Sequence, residues 1–341
     1  MPDLCPSVSL PTASAGRHLR FLLGGLLAAF LAAGHPAQAL VINPIFEPSW
    51  TVGFMGGPAA PAAATTAVNN VIAEYQADFA NPVTINISFG WGDIQGSAVT
   101  SGAVSNFPSQ APQYTLGQVT TQYATAVGSP GATSVLATAF ANLPATYPNP
   151  GGSTSFFVPD AEFKALTGGA QNADPLDGFT GYATNLCSGG TCPALMALVE
   201  HEVAHAMGRV DWAFQSGVAN GTPPKLSPLN FFTYDCNTTT LDPRFNITCF
   251  SYDGGATNPG GRTFSNTSDS GDWINFPNDS YNWIVNNGAT VSTADILEMC
   301  ALGWNDRAVC GTPATSAPEP GTLALLGTSL LGLAALRRRR T

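Results

Sequence analysis

Histidine, methionine, charge and basic residues are all scarce in this sequence, and each scarcity excludes something. Charged residues make up 10% of the 341 positions while apolar residues make up 44%, a balance that excludes an intrinsically disordered chain. Residues 40–312 hold 20 acidic residues against 6 basic ones, a net of −14. Such a body repels nucleic acid and anionic membrane surfaces, so no nucleic-acid partner is expected. The seven cysteines include no Cys-x-x-Cys pair, which speaks against a thiolate zinc site. No internal repeat is visible. There are only four histidines, His18, His35, His201 and His205.

What is plentiful is glycine (36) and proline (27), which predicts a loop-rich fold with short strands and helices. The first 39 residues read as a secretory signal. Arg17, His18 and Arg20 precede an apolar run from Phe21 to Ala33, and Ala37-Gln38-Ala39 fits a small-residue cleavage site. The run falls short of the roughly 20 residues that span a bilayer. At the other end, Pro318-Glu319-Pro320 precedes an apolar segment, residues 321–336, and the arginines Arg337 to Arg340. Clustered arginines resist translocation and set orientation, so the body lies outside the cytoplasm.

This tail, residues 313–341, resembles the bacterial PEP-CTERM sorting signal. The resemblance implies transient insertion of residues 321–336 in the inner membrane and an exosortase-type enzyme that cuts at Pro318-Glu319-Pro320. It also implies a destination at the cell surface, outside the cell or in the exopolysaccharide matrix of a Gram-negative-type bacterium. Cysteine usage agrees: Cys5 departs with the signal, leaving an even six for an oxidising compartment. Six cysteines allow 15 connectivities, and their grouping favours the local pairs 187–192, 236–249 and 300–310.

Periodicity predicts a helix from Ala62 to Asp78, with Val68, Val71, Ile72, Tyr75 and Phe79 inward. A strand with one buried face follows at Val83–Phe89. Further helices are expected at Thr115–Ala126, Thr133–Leu143 and from an Asp160 cap to Leu166, with a short strand at Ser155–Val158. Thr191 to Met207 is the clearest helix, with Pro193 in its first turn and Gly208 as its stop. Residues 209–290 read as loops with short strands, before a last helix at Thr293–Leu302.

The candidate chemistry lies in that clearest helix. His201-Glu202-Val203-Ala204-His205 is an HExxH motif, whose i and i+4 imidazoles share one helix face and can reach one zinc ion. Glu202 stands where it can take a proton from a metal-bound water. Cleavage of the signal removes His18 and His35, so the mature chain keeps two histidines, both in the motif. A third protein ligand must then be a carboxylate. Asp211, three residues beyond Gly208, is the first candidate; Glu298 on the last helix and other acids remain open.

The run H-E-x-x-H-x-x-G-x-x-D resembles the extended metzincin motif with aspartate in its last position. By that resemblance His201, His205 and Asp211 bind zinc and Glu202 is the general base. The pattern departs at the methionine turn: no methionine lies between Asp211 and Asp295, and Met299 fits a helical core position. A wider resemblance runs through Ser227-Pro228-Leu229-Asn230-Phe231-Phe232, Tyr252-Asp253-Gly254-Gly255, Gly271-Asp272-Trp273 and Asp295 to Trp304. These blocks look like those of PEP-CTERM-anchored bacterial zinc metallopeptidases. Asp253, Asp269 and Asp272 carry a weaker suggestion of calcium, against solvated turns. Tyr234 is a weaker oxyanion donor candidate, against a core tyrosine.

The expected fold is α+β and zincin-like (metzincin-like): a small twisted mixed sheet with packing helices up to about residue 208, then an irregular loop-rich subdomain, 209–312. The expected function is a surface-sorted, monomeric zinc endopeptidase acting on protein or peptide substrates. The competing readings are a non-catalytic surface or matrix-binding protein that uses the Asn/Gly/Trp-rich region 226–304, and a zinc hydrolase acting on a polymer amide. N-terminal sequencing of the exported protein should find its first residue near Leu40; an intact Met1 start would refute the cleaved signal.

Overall fold

The computed structural model describes residues 39–106, 112–129, 131–147, 155–169, 174–210, 226–238, 240–242, 248–265 and 271–311. The predicted signal up to residue 38, the segment 313–341, Asp211 and Asp269 lie outside them. Residues 38–316 group into one compact unit.

Four strands form the main sheet: β1 (Val41–Phe46), β2 (Thr84–Trp91), β3 (Ala103–Asn106) and β4 (Gly178–Tyr182), in the order β1-β2-β4-β3. The first three in that order are parallel, with Val41 beside Thr84 and Ile87 beside Gly178. β3 runs antiparallel along the edge, Ala103 beside Tyr182 and Asn106 beside Phe179. The architecture is therefore mixed α+β, as the sequence suggests. One expectation changes. The alternation in β2 predicts one wet face, but the strand is central in the sheet and Ile85, Ile87, Ser88, Phe89 and Trp91 are all buried. A strand between parallel neighbours is covered on both faces, and Ser88 meets the burial by donating its hydroxyl to Glu47 Oε1 at 3.0 Å.

Six helices of eight or more residues occur among the described residues: α1 (Ala62–Asp78), α2 (Leu116–Val127), α3 (Ser134–Ala141), α4 (Asp160–Thr167), α5 (Leu195–Ala206) and α6 (Thr293–Ala301). Capping explains several starts. Thr115 and Gln118 form a reciprocal capping box at α2, Thr133 accepts from the Leu136 amide at α3, and Ser292 with Asp295 does the same at α6. Asp160, expected as a cap, is instead the first residue of α4, with Pro159 before it. α5 begins four residues later than the pattern at Thr191 predicts. The Cys187–Cys192 disulfide closes a tight turn there, in which Ser188 and Thr191 exchange backbone hydrogen bonds of 3.0 and 3.1 Å.

All three local disulfides are present, 187–192, 236–249 and 300–310. Beyond residue 226 regular structure is sparse: Thr233–Asp235 and Thr248–Phe250 pair antiparallel under the Cys236–Cys249 bridge, and α6 follows. The segment after α6 locks the halves together. Asn81, at the end of α1, donates to the Gly303 carbonyl at 2.9 Å and accepts from the Asn305 amide at 2.7 Å. The Trp304 indole donates to the Met207 carbonyl at 3.0 Å, satisfying an orphan acceptor at the end of α5.

α5 lies in the core, with only Met196 strongly exposed among its apolar residues. Its stop at Gly208 has two causes. The backbone there has φ of +120°, and a Cβ would fall 2.7 Å from the Glu162 Cβ. Glu162 on α4 is itself fully buried, and neither carboxylate oxygen finds a hydrogen-bond partner. Burial pushes its pKa well above the usual carboxylate range.

A carboxyl whose folded pKa is raised favours the native state less as pH climbs above its unfolded value near 4.5. Glu162→Gln should therefore be progressively more stable than wild type above pH 4.5, the gap growing by up to about 1.4 kcal/mol per pH unit until the native carboxyl ionises. Thermal melts at pH 5 and pH 7 read this directly. Equal melting differences at the two values would refute it.

Candidate metal centre

The i, i+4 spacing on α5 places the His201 and His205 rings 4.7 Å apart, centroid to centroid, with their Nε2 atoms 3.0 Å from one another. Each ring is oriented from behind. His201 Nδ1 sits 2.7 Å from the Ser280 carbonyl oxygen, and His205 Nδ1 meets the Arg209 carbonyl oxygen. A carbonyl only accepts, so both Nδ1 atoms carry a proton and, when the rings are neutral, both Nε2 atoms present lone pairs to the same point. Two lone pairs at this distance are relieved by a metal ion or by a proton shared between the two nitrogens, and the Arg209 Nη2 donor stands 3.0 Å from that of His205.

The third group is Asp272, whose Oδ1 lies 3.3 Å from His201 Nε2 and 3.0 Å from His205 Nε2. His201, His205 and Asp272 are all buried, and their donor atoms form a triangle with sides of 3.0 to 3.3 Å. Zinc bonds of about 2.0–2.1 Å in tetrahedral array put neighbouring donors about 3.3 Å apart, so this His-His-carboxylate set fits a divalent ion of that size. The back-bonded imidazoles supply the outer support such ligands need.

Asp272 is set by its neighbour. Trp273 is fully buried, its indole donates to Asp295 Oδ1 at 2.7 Å, and its amide donates to the Tyr281 carbonyl at 3.0 Å. Arg209 holds Asp272 from the other side. Its Nη1 donates to Asp272 Oδ1 at 3.0 Å and to the Gly271 carbonyl at 2.5 Å, and its guanidinium stacks on Tyr281 at 4.3 Å. Nη2 lies 3.0 Å from His205 Nε2.

The charges match this geometry. Burial alone would depress the His201 imidazole, but the Asp272 carboxylate beside it outweighs burial and lifts its pKa to about 9. Burial likewise pushes Asp272 up, yet the two imidazoles hold it well below the usual carboxylate range. Glu202, on the same helix, is buried and its pKa is raised by desolvation, against the opposing pull of His201, His205 and a hydrogen bond to Ser105 on β3.

The structure brings together His201, Glu202 and His205 as the motif predicts. Asp211 lies outside the described residues, so the carboxylate seen at the imidazoles is Asp272, which sequence reasoning assigned to calcium or to a turn. Its signal was present in the Gly271-Asp272-Trp273 block, although nothing in the spacing tied that block to the helix. Glu298 is not in the triangle; it is fully buried on α6, near Arg209, and burial raises its pKa well above normal. Met299 is a core residue. Asp253 is consumed by its own turn, accepting from the Ser251 hydroxyl and the Thr257 amide and hydroxyl, which leaves no calcium cluster among the described residues. Tyr234 is a buried strand residue beside Cys249.

Among the described residues no helix is long and apolar enough to cross a membrane, and the predicted segment 321–336 lies outside them. No match to the chain is found among curated proteins, and none among solved structures. The family described as the PEP-CTERM protein-sorting motif matches residues 316–340, so the chain carries at its C-terminus a bacterial signal for export and sorting, read by exosortase-type enzymes.

Proposed function

We propose that the chain is an exported zinc-dependent endopeptidase in which His201, His205 and Asp272 hold the metal and Glu202 is the general base. The observation that carries this is the convergence of two Nε2 lone pairs and one carboxylate oxygen within 3.3 Å, one residue from a buried glutamate. Zinc bound there would lower the pKa of a coordinated water toward neutrality and polarise a substrate carbonyl.

The chain's own residues supply the rest. Glu202 accepts the proton of the attacking water, and burial, which raises its pKa, makes it a stronger base than a surface glutamate. The proton then passes from Glu202 to the departing amine. Ser105 holds the Glu202 carboxylate and belongs to β3, the antiparallel edge of the sheet. An extended peptide pairing along that edge would lay its backbone beside Glu202. Asp211, five residues beyond α5 in the sequence, stays in the proposal as the alternative third ligand; Asp272 supplies the carboxylate that the motif alone assigned to Asp211.

Two measurements test this reading. Glu202→Gln should lower hydrolysis of a general protein substrate such as casein by about 10²–10⁴-fold while leaving about one zinc per chain by elemental analysis; retained hydrolysis defeats the assignment. For the ligands, micromolar zinc added to chelator-treated protein should raise the melting temperature. Asp272→Asn should remove most of that rise and Asp211→Asn should remove less. The opposite order would return the third ligand to Asp211.

A further inference from the structure

Five tryptophans fall among the described residues, and four of them, Trp50, Trp91, Trp273 and Trp304, are at most 4% exposed. Trp283 is 45% exposed and its neighbour Ile284 is 64% exposed. Both line a groove with Ile274, Asn275, Pro277 and Asn282. We propose that this groove binds a neutral polysaccharide, with a sugar ring stacked on the Trp283 indole and its hydroxyls bonded to the Asn275 carboxamide.

The backbone under the groove is tied by hydrogen bonds. The Trp283 amide donates to the Trp273 carbonyl at 2.8 Å, behind which lies a fully buried indole. Asn282 spends its side chain inside the loop, accepting from the Phe276 amide at 2.9 Å and donating to the Ile284 carbonyl at 2.8 Å. The Ile274 amide is tied to the Thr263 carbonyl at 2.9 Å. Asn275 differs from Asn282: it is exposed, its side chain makes no hydrogen bond among the described residues, and its backbone is left-handed, with φ of +67°. An exposed indole on a hydrogen-bonded backbone and an exposed carboxamide thus line the same groove, so a ligand has little backbone to order.

The lining selects the class of ligand. None of the six residues is charged, although residues 40–312 carry a net of −14, so an ionic ligand gains nothing here. An anionic membrane is repelled by the same net charge. A stable protein partner needs about 800 Å² on each side, more than one groove of six residues offers. A sugar ring presents an apolar C–H face for the indole and hydroxyls for the carboxamide, which is what the groove can satisfy. The metal centre plays no part in this argument, so either reading can fail alone.

The test is affinity electrophoresis of the full chain in gels cast with dextran, hydroxyethylcellulose or galactomannan, with alginate as the acidic control. Retardation is expected in at least one neutral gel, weakened about tenfold by Trp283→Ala, partly restored by Trp283→Phe and weakened less by Asn275→Ala. Near-ultraviolet circular dichroism establishes that each variant is folded. Zinc content should be the same in all of them. No retardation in any neutral gel, retardation by alginate alone, retardation unchanged in Trp283→Ala, or a dimer that Trp283→Ala dissolves would each overturn the proposal.

Discussion

A guanidinium taken wholly out of water organises the C-terminal half of this protein. Arg209 is fully buried, and moving such a charge out of water costs several kcal/mol unless it is paired and hydrogen-bonded. The surroundings answer that demand with Asp272, the Gly271 carbonyl and the Tyr281 ring, and with Glu298 close by. The same residue closes α5 and turns its carbonyl to His205. One side chain and its own backbone therefore hold two members of the metal triangle, which is why a segment more than 60 residues away in sequence arrives at the histidine helix.

Seen from that point, the concentration of buried acids is less strange. Asp272, Asp295 and Glu298 all lie at the core, and Asp295, pushed up to about 8 by burial and by Asp279, receives the Trp273 indole. Loops rich in Asn, Asp and Gly would ordinarily be solvated. Here they are drawn inward by a buried cation and by two imidazoles with lone pairs to satisfy. Irregular structure is accommodated inside where turns close on backbone or side-chain acceptors, as Tyr281 does when its amide meets Asp279 Oδ1 at 2.8 Å.

Local signals in the sequence were legible and long-range ones were not. α1 appears with the predicted boundaries because its apolar spacing and the Asn81-Pro82 stop are both encoded within a few turns. The three disulfides were readable because each closes a short loop. His201, Glu202 and His205 were readable because helix geometry alone puts them together. Asp272 could not be found that way, since its position depends on tertiary clamps at Trp273 and Arg209 that leave no periodic trace. The buried polar face of β2 escaped for a similar reason: Ser88 looks solvent-facing until its partner Glu47, 41 residues earlier, is known.

Trp304 lies inside the loop closed by Cys300 and Cys310, and its indole holds the carbonyl end of the histidine helix. The loop that carries it is closed by a covalent bond of a kind that a reducing cytoplasm does not maintain. With the bridge reduced, the loop would rest on noncovalent ties alone, among them the indole on Met207 and Asn81 on Gly303 and Asn305. The bridge therefore adds its constraint on the end of the histidine helix only where thiols are oxidised, the kind of compartment to which an export and sorting signal points.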